Sequence, residues 1–392
     1  MLLLMVVVGF IAYQRGSLSD SNLQPGERYI LKDQGPSDSK TSTETKTVEL
    51  VDYELEIVAE NLTVPWSLAF TSENRILVSQ RPGTISIVEP EIDSTKTLLE
   101  ITEVSPVAEA GLMGLVLDPD YETNKFFYAC YAYDSDQGLR DKVVRIKDNG
   151  NSAEILDTLI QDIPAARFHA GCRLGIGPDS KLYITTGDAT NKTIAQDLGS
   201  LGGKILRLNL DGSIPEDNPF ENSPVYSYGH RNPQGISWHP VTGDLFETEH
   251  GPSGNDGPGG GDEVNLIRAG ENYGWPLVSH TESAEGLVDP LLTFTPAEAP
   301  GSVLVYSGSI YPQFQNNLFF GALRGEGIVR IVLDEVDPTQ IISYEKLSIN
   351  VGRIRDVVQG PDGLIYFTTS NQDGRGDSRT GDDKIYKLTP TN

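Results

Sequence analysis

The chain has 392 residues and a formal charge of −26, from 30 basic and 56 acidic side chains. That balance excludes a nucleic-acid partner, because gripping a phosphate backbone needs a basic face. The acidity instead suits a soluble surface in a salty or extracytoplasmic medium.

The first element is Met1–Tyr13, MLLLMVVVGFIAY, almost wholly apolar and followed by Gln14-Arg15. It falls short of the roughly 17–25 residues of a spanning helix, and its length suits a signal h-region. It has no charged n-region, no Ala-x-Ala site and no nearby Cys for a lipid. Residues 1–13 therefore read as a hydrophobic anchor or signal segment. The rest is expected outside the cytoplasm, periplasmic or at the cell surface, with membrane attachment through the N-terminus. Residues 14–50 are dominated by Ser, Thr, Asp, Lys, Gln and Pro. Such a stretch cannot bury enough surface to offset its ordering entropy, so a flexible polar linker is expected.

From 51 to 392 one pattern recurs. A turn rich in Pro, Asp, Asn and Gly leads into a short β-branched or aromatic strand, then into another. Ile76, Phe126, Leu182, Leu245, Leu318 and Ile365 mark the repeat, 47 to 73 residues apart. Later strands share an Ile/Val-x-Arg/Lys-Leu/Ile pattern, as in Ile205–Leu208, Ile328–Ile331 and Ile385–Leu388. No amphipathic helix of normal length is evident, and 40 Gly with 24 Pro suit many tight turns. Six all-β repeats predict a six-bladed β-propeller of four-stranded antiparallel blades, whose loops converge on one mouth of a central channel. Cys130 and Cys172 are the only cysteines. Export permits a bridge between them, but two buried free thiols fit equally well.

Polar groups are densest in Tyr228-Gly-His-Arg-Asn-Pro-Gln-Gly-Ile-Ser-Trp-His-Pro240, Glu249-His-Gly-Pro252 and Gly261-Asp-Glu263. Cations, an amide and imidazoles on turn-type sequence indicate a ligand or metal site on a rigid scaffold. His169 carries the right chemistry to take a hydroxyl proton near neutral pH. The turn around Arg231 and Asn232 fixes both side chains, and a fixed guanidinium suits a developing oxyanion. Arg353 and Arg355 alternate on a predicted strand, and two like charges on one face call for an anion. Gly251-Pro252 offers consecutive backbone carbonyls, hard donors suited to calcium.

These residues carry a family resemblance. The segments Pro65-Trp-Ser-Leu-Ala-Phe70, Gly111-Leu-Met-Gly-Leu115, His169-Ala-Gly-Cys-Arg-Leu174, Gly229-His-Arg-Asn-Pro-Gln-Gly235, Asp262-Glu-Val-Asn-Leu-Ile267, Asn272-Tyr-Gly-Trp-Pro276 and Arg353-Ile-Arg-Asp-Val357 occur in family order across residues 55–388. As an ordered set they resemble the quinoprotein soluble aldose (glucose) dehydrogenases, which hold pyrroloquinoline quinone in a six-bladed propeller. The resemblance implies oxidation of aldose sugars at C1 to lactones, with His169 as general base and Arg231 at the reducing quinone oxygen. Asn232, Arg353 and Arg355 would also hold the cofactor. Arg324 stands where glucose dehydrogenases carry Lys. Glu109 would approach the substrate, and Asp188 would orient His169 or touch the quinone. The Gly251 and Pro252 carbonyls would hold the quinone's calcium, and Asp262, Glu263 and Tyr273 a second one.

The chain also departs from that pattern. Phe168 replaces an Asp before the base. The Gly-rich loop 253–261 is longer, and no capping insertion follows Trp275-Pro276. A more open pocket and a broad sugar range are expected. The competing readings are a propeller binding module that lost its redox site, and a calcium-dependent propeller lactonase. The electron acceptor, and whether the chain is a monomer or a dimer, stay open.

Overall fold

The computed structural model describes residues 28–30 and 51–391. The hydrophobic segment 1–13 lies outside the described residues, as does most of the polar stretch 14–50. Within that stretch Arg28–Ile30 does form a strand, which adds a fifth member to the edge of blade 5 by pairing with Ile341–Lys346. Among the described residues no helix is long and apolar enough to cross a membrane.

The predicted architecture is the one observed: six antiparallel sheets arranged as blades. The innermost strands are Pro65–Ser72, Leu112–Leu117, Gly171–Ile176, Pro233–Trp238, Pro300–Val305 and Ile354–Gln359. Each of the six sequence markers falls on the second strand of a blade, from Arg75–Gln80 in blade 1 to Ile365–Thr369 in blade 6. These strands are covered on both faces, which is why they read as short β-branched and aromatic runs. The ring closes when Tyr53–Ala59, from the start of the domain, pairs with Ile385–Pro390 as the outermost strand of blade 6. Among the described residues the single α-helical element is one turn, Tyr121–Asn124.

Period-2 alternation sends successive side chains to opposite neighbours. In Phe126–Ser135, Phe127, Ala129 and Tyr131 pack toward blade 1, while Tyr128, Cys130 and Ala132 pack toward blade 3. The buried apolar side chains of the described residues accordingly fall into six clusters, one at each blade–blade contact. Inner strands approach so closely that a Cβ on Gly235 would stand 2.5 Å from the Val303 backbone nitrogen. Cys130 and Cys172 form a disulfide joining blades 2 and 3, with Cα atoms 6.1 Å apart. The bridge decides the question that spacing alone leaves open.

Alternating strand direction has a functional consequence. Connections from one blade to the next, and those between second and third strands, open on the same end of the channel. Glu109, His169, Arg231 and Arg353 lie on the first kind, whereas Asp188, residues 250–261, Arg324 and Asp373 lie on the second. The topology therefore gathers the candidate residues at one mouth.

Candidate active site

His169 precedes the inner strand of blade 3 with φ +57°, a left-handed conformation uncommon for a residue with a Cβ. Its surroundings hold it there. Its N–H donates to Glu109 Oε2 at 3.0 Å and its carbonyl accepts from Ala189 N at 3.2 Å. A Cβ on Gly187 would sit 1.8 Å from that carbonyl oxygen, so only glycine fits beside it.

The ring partners fix the tautomer. Nδ1 lies 2.7 Å from Asp188 Oδ1, an acceptor, so Nδ1 carries the proton. Nε2 lies 2.8 Å from Arg231 Nη2, a donor, so Nε2 presents its lone pair. Asp188 is anchored in turn, since its Oδ2 accepts from Trp275 Nε1 at 2.8 Å and its N–H donates to the Arg231 carbonyl at 2.8 Å. The carboxylate–imidazole–guanidinium series of Asp188, His169 and Arg231 is nearly buried, with side-chain exposures of 1%, 12% and 2%. An imidazole held this way can exchange the Arg231 hydrogen bond at Nε2 for one proton and pass positive charge toward Asp188.

Arg231 is held from below by Glu249, whose Oε1 accepts its backbone N–H at 2.5 Å while Oε2 meets His230 Nδ1 at 3.0 Å. Its guanidinium reaches Asp256 and the His250 carbonyl, and it packs over Trp275 at 5.6 Å. Asn232 spans blades, accepting from Gly171 N at 3.2 Å and donating to Glu109 at 3.4 Å. Glu109 therefore ties His169, Asn232 and Arg375 together, the last through an ion pair of 3.4 Å. Arg375 also covers the half-exposed Phe168 ring, 5.2 Å from its centroid.

The two arginines expected to act as a pair have different partners. Arg353 is bound by Asp373 at 2.7 Å and donates to the Leu323 carbonyl at 2.6 Å. Arg355 turns into the channel, where Nη1 donates to Gln234 Oε1 at 2.8 Å and Nε has no partner. Burial, with Arg353 and Arg81 nearby, depresses the Arg355 pKa to about 9. A buried cation with an unused N–H fits an anionic ligand. Asp356 turns the other way, to Arg173 at 2.9 Å. Arg324 is exposed on the same mouth, in the connection between second and third strands of blade 5.

Gly251 and Pro252 are buried just after the second strand of blade 4. A Cβ on Gly251 would stand 2.3 Å from the Gly260 carbonyl oxygen and 2.4 Å from that of Gly261, so backbone oxygens crowd this turn. Hard donors of this kind fit calcium, although the Pro252 carbonyl also accepts from Gly260 N at 3.1 Å.

The second set of metal residues divides. Asp262 has both oxygens engaged by backbone donors, Gly251 N at 2.8 Å and Ala299 N at 2.6 Å. Burial raises its pKa to about 6. Tyr273 donates its hydroxyl to the Leu266 carbonyl and stacks on His230 at 4.7 Å. Glu263, by contrast, joins an acidic group absent from the sequence reading. Glu247, Glu249, Glu263 and Asn265 share the face of blade 4 that meets blade 3, and His230, Glu247 and Glu249 bring ligand atoms within 4.8 Å of one another. Asn265 Nδ2 serves Glu247 and Glu263, yet Glu247 Oε1 and Asn265 Oδ1 are buried without a donor. Orphan acceptors beside carboxylates fit a hard cation better than Asp262 does.

A cavity of about 520 Å³ opens at the opposite end of the channel, among Leu68, Phe70, Leu115, Ile176 and Val358. None of its lining side chains is ionisable, so it is not the candidate site. Sequence reading gave no role to Asp256, Trp275, Arg375, Asp373 and Glu249. Glu249 and Trp275 left a signal, in the polar segment Glu249-His-Gly-Pro252 and the family segment Asn272-Tyr-Gly-Trp-Pro276.

The Glucose / Sorbosone dehydrogenase family model matches residues 62–379. The uncharacterised Synechocystis protein slr1608 is 35% identical over 381 residues, covering 86% of this chain and 90% of that one. The Escherichia coli aldose sugar dehydrogenase YliI is 29% identical, covering 86% of this chain and 93% of that one. The PQQ-bound aldose sugar dehydrogenase from Streptomyces coelicolor superposes with a TM-score of 0.75 at 35% identity, covering 86% and 98% of the two chains. The match runs across nearly the whole propeller and through every blade that supplies the mouth, so the chain belongs to the Glucose / Sorbosone dehydrogenase family.

Proposed function

We propose that this protein is a pyrroloquinoline-quinone-dependent aldose sugar dehydrogenase that oxidises a range of aldoses at C1 to lactones. The observation that carries the reading is His169 with Nδ1 on Asp188 and a lone pair on Nε2, beside Arg231 at a mouth rimmed by arginines. His169 takes the anomeric hydroxyl proton at Nε2, and Asp188 stabilises the resulting imidazolium. Arg231, Asn232, Arg353 and Arg355 would hold the cofactor, with Arg324 at the rim and calcium on the Gly251 and Pro252 carbonyls. Bound quinone supplies the acceptor for the hydride that leaves C1, and calcium beside it a Lewis acid.

Glu263, Glu247 and Asn265 suit a second calcium between blades 3 and 4. Action outside the cytoplasm is supported by the Cys130–Cys172 bridge, because disulfides persist in oxidising compartments. The test is reconstitution of purified apoprotein with quinone and calcium, followed by sugar-dependent reduction of an artificial dye. Dye reduction that needs sugar, quinone and calcium together is expected. Its absence in protein that demonstrably binds the quinone would overturn the reading in favour of a binding module.

A further inference from the structure

Asp256 sits on the glycine-rich loop 253–261 of blade 4, outside every motif that marks the family. Its Oδ2 accepts from Arg231 Nε at 2.7 Å, and its Oδ1 accepts from Ser253 N at 3.0 Å. Ser253 Oγ completes the contact, 3.2 Å from Arg231 Nη2. The loop is only partly packed: Cβ atoms placed on Gly254 and Gly259 would meet nothing within 4 Å, whereas those on Gly257, Gly260 and Gly261 would meet Pro252, Thr295 and His280. Beyond the Asp256 pair, its attachments are the 3.1 Å bond from Gly260 N to the Pro252 carbonyl and the bonds of Gly261 N to Phe294 and Thr295.

A guanidinium is planar, with its donors at fixed angles, so gripping the Nε edge sets where the other two nitrogens point. With Nε on Asp256, Nη1 falls on the His250 carbonyl at 3.0 Å and Nη2 on His169 Nε2 at 2.8 Å. We propose that Asp256 is a positioning residue, which fixes the rotation of Arg231 and through it the hydrogen bond to His169, while tying the glycine-rich loop over the mouth. The role assigned to His169 rests on the dehydrogenase reading above, whereas the geometry of the grip does not.

The test uses Asp256→Asn, which keeps shape and removes charge. The chain has five histidines, so the imidazole ¹⁵N resonances of the apoprotein can be assigned with His169→Gln as reference. In the wild type, His169 should show a protonated Nδ1 and a hydrogen-bonded Nε2. Asp256→Asn should move the His169 Nε2 resonance and leave His230 and His239 unmoved. In the reconstituted enzyme, kcat should fall by roughly tenfold or more, as expected for a misoriented catalytic group. Asp256→Glu should recover part of that loss. In an Arg231→Lys background, Asp256→Asn should have no further effect, because the path through the guanidinium is already broken. An unmoved His169 resonance in Asp256→Asn would overturn the proposal, as would an equal loss in both backgrounds. If the wild type oxidises no sugar, the dehydrogenase reading fails, and the apoprotein spectrum still decides the grip.

Discussion

His169 shows how much surrounding structure holds the residue proposed as the base. Its backbone is held in a left-handed conformation by Glu109 and by the space Gly187 leaves, and its ring is clamped between Asp188 and Arg231. On the proposed function, Arg353, Arg355 and Asn232 would hold the cofactor without serving as the base, so the two roles should separate in variants. His169→Gln is expected to lower turnover by about 10²–10⁴ while quinone binding, followed by protein fluorescence, stays within a few-fold. Near-normal turnover would remove His169 from the role of base. Arg353 and Arg355 should differ too. Asp373 and the Leu323 carbonyl already satisfy Arg353, whereas Arg355 is buried with a free Nε. Arg355→Ala should therefore weaken quinone binding more than Arg353→Ala does. The reverse order in a direct titration would show that Arg353 leaves Asp373 for the ligand.

At the scale of strands, the acidic face of blade 4 makes a prediction about pH. Burial pushes the Glu249 carboxyl up to about 8 from its ordinary 4.5, with Asp188 adding to the effect. Burial and mutual repulsion raise Glu247 and Glu263 as well. An acid raised in this way keeps its proton in the folded chain where the unfolded chain has released it. Its stabilising contribution is therefore complete below about pH 4.5 and is lost as pH rises toward about 8. A bound hard cation replaces those protons and flattens the slope. Urea unfolding in EDTA should show stability falling between about pH 5 and about pH 8, and calcium should restore it at the upper end. Identical slopes with and without calcium would mean that no cation binds there. The Cys130–Cys172 bridge closes a separation of 42 residues, so reduction should cost about 4 kcal/mol on the chain-entropy model.

The same strands show what sequence could reveal. Second strands of blades were legible because both of their faces are buried and a turn precedes each one. The Glu247–Glu249 and Glu263–Asn265 alternation is visible too, but periodicity alone does not show that strand pairing packs these side chains on one face against blade 3. Asp256, Arg375 and Trp275 come from connections without periodicity; Asp256 and Trp275 meet Arg231, and Arg375 meets Glu109 and Phe168, only where connections from different blades converge. The bridge between Cys130 and Cys172 likewise depends on the approach of two blades.

At the scale of the whole molecule, the question is what the mouth can recognise. The residues from Leu277 to Pro300 contain the outermost strand of blade 4, Leu292–Phe294, and otherwise lead to the inner strand of blade 5. That leaves no insertion to cap a sugar. Beside His169, the proposed base, stands Phe168, 36% exposed, with Arg375 across its ring, where glucose dehydrogenases carry an acid. An aromatic face and a flexible cation accept many hydroxyl patterns, because discrimination by hydrogen bonding needs buried polar partners at the distinguishing group. On the proposed function, the C1 end would by contrast be fixed by His169, Asp188 and Arg231. Hexoses, pentoses and reducing disaccharides should therefore all be oxidised, with specificity constants within roughly a hundredfold of one another and weak Michaelis constants. A preference of about a thousandfold or more for one monosaccharide would sink this expectation. It would place the missing contacts on the glycine-rich loop, and removing residues 254–259 should then erase the preference.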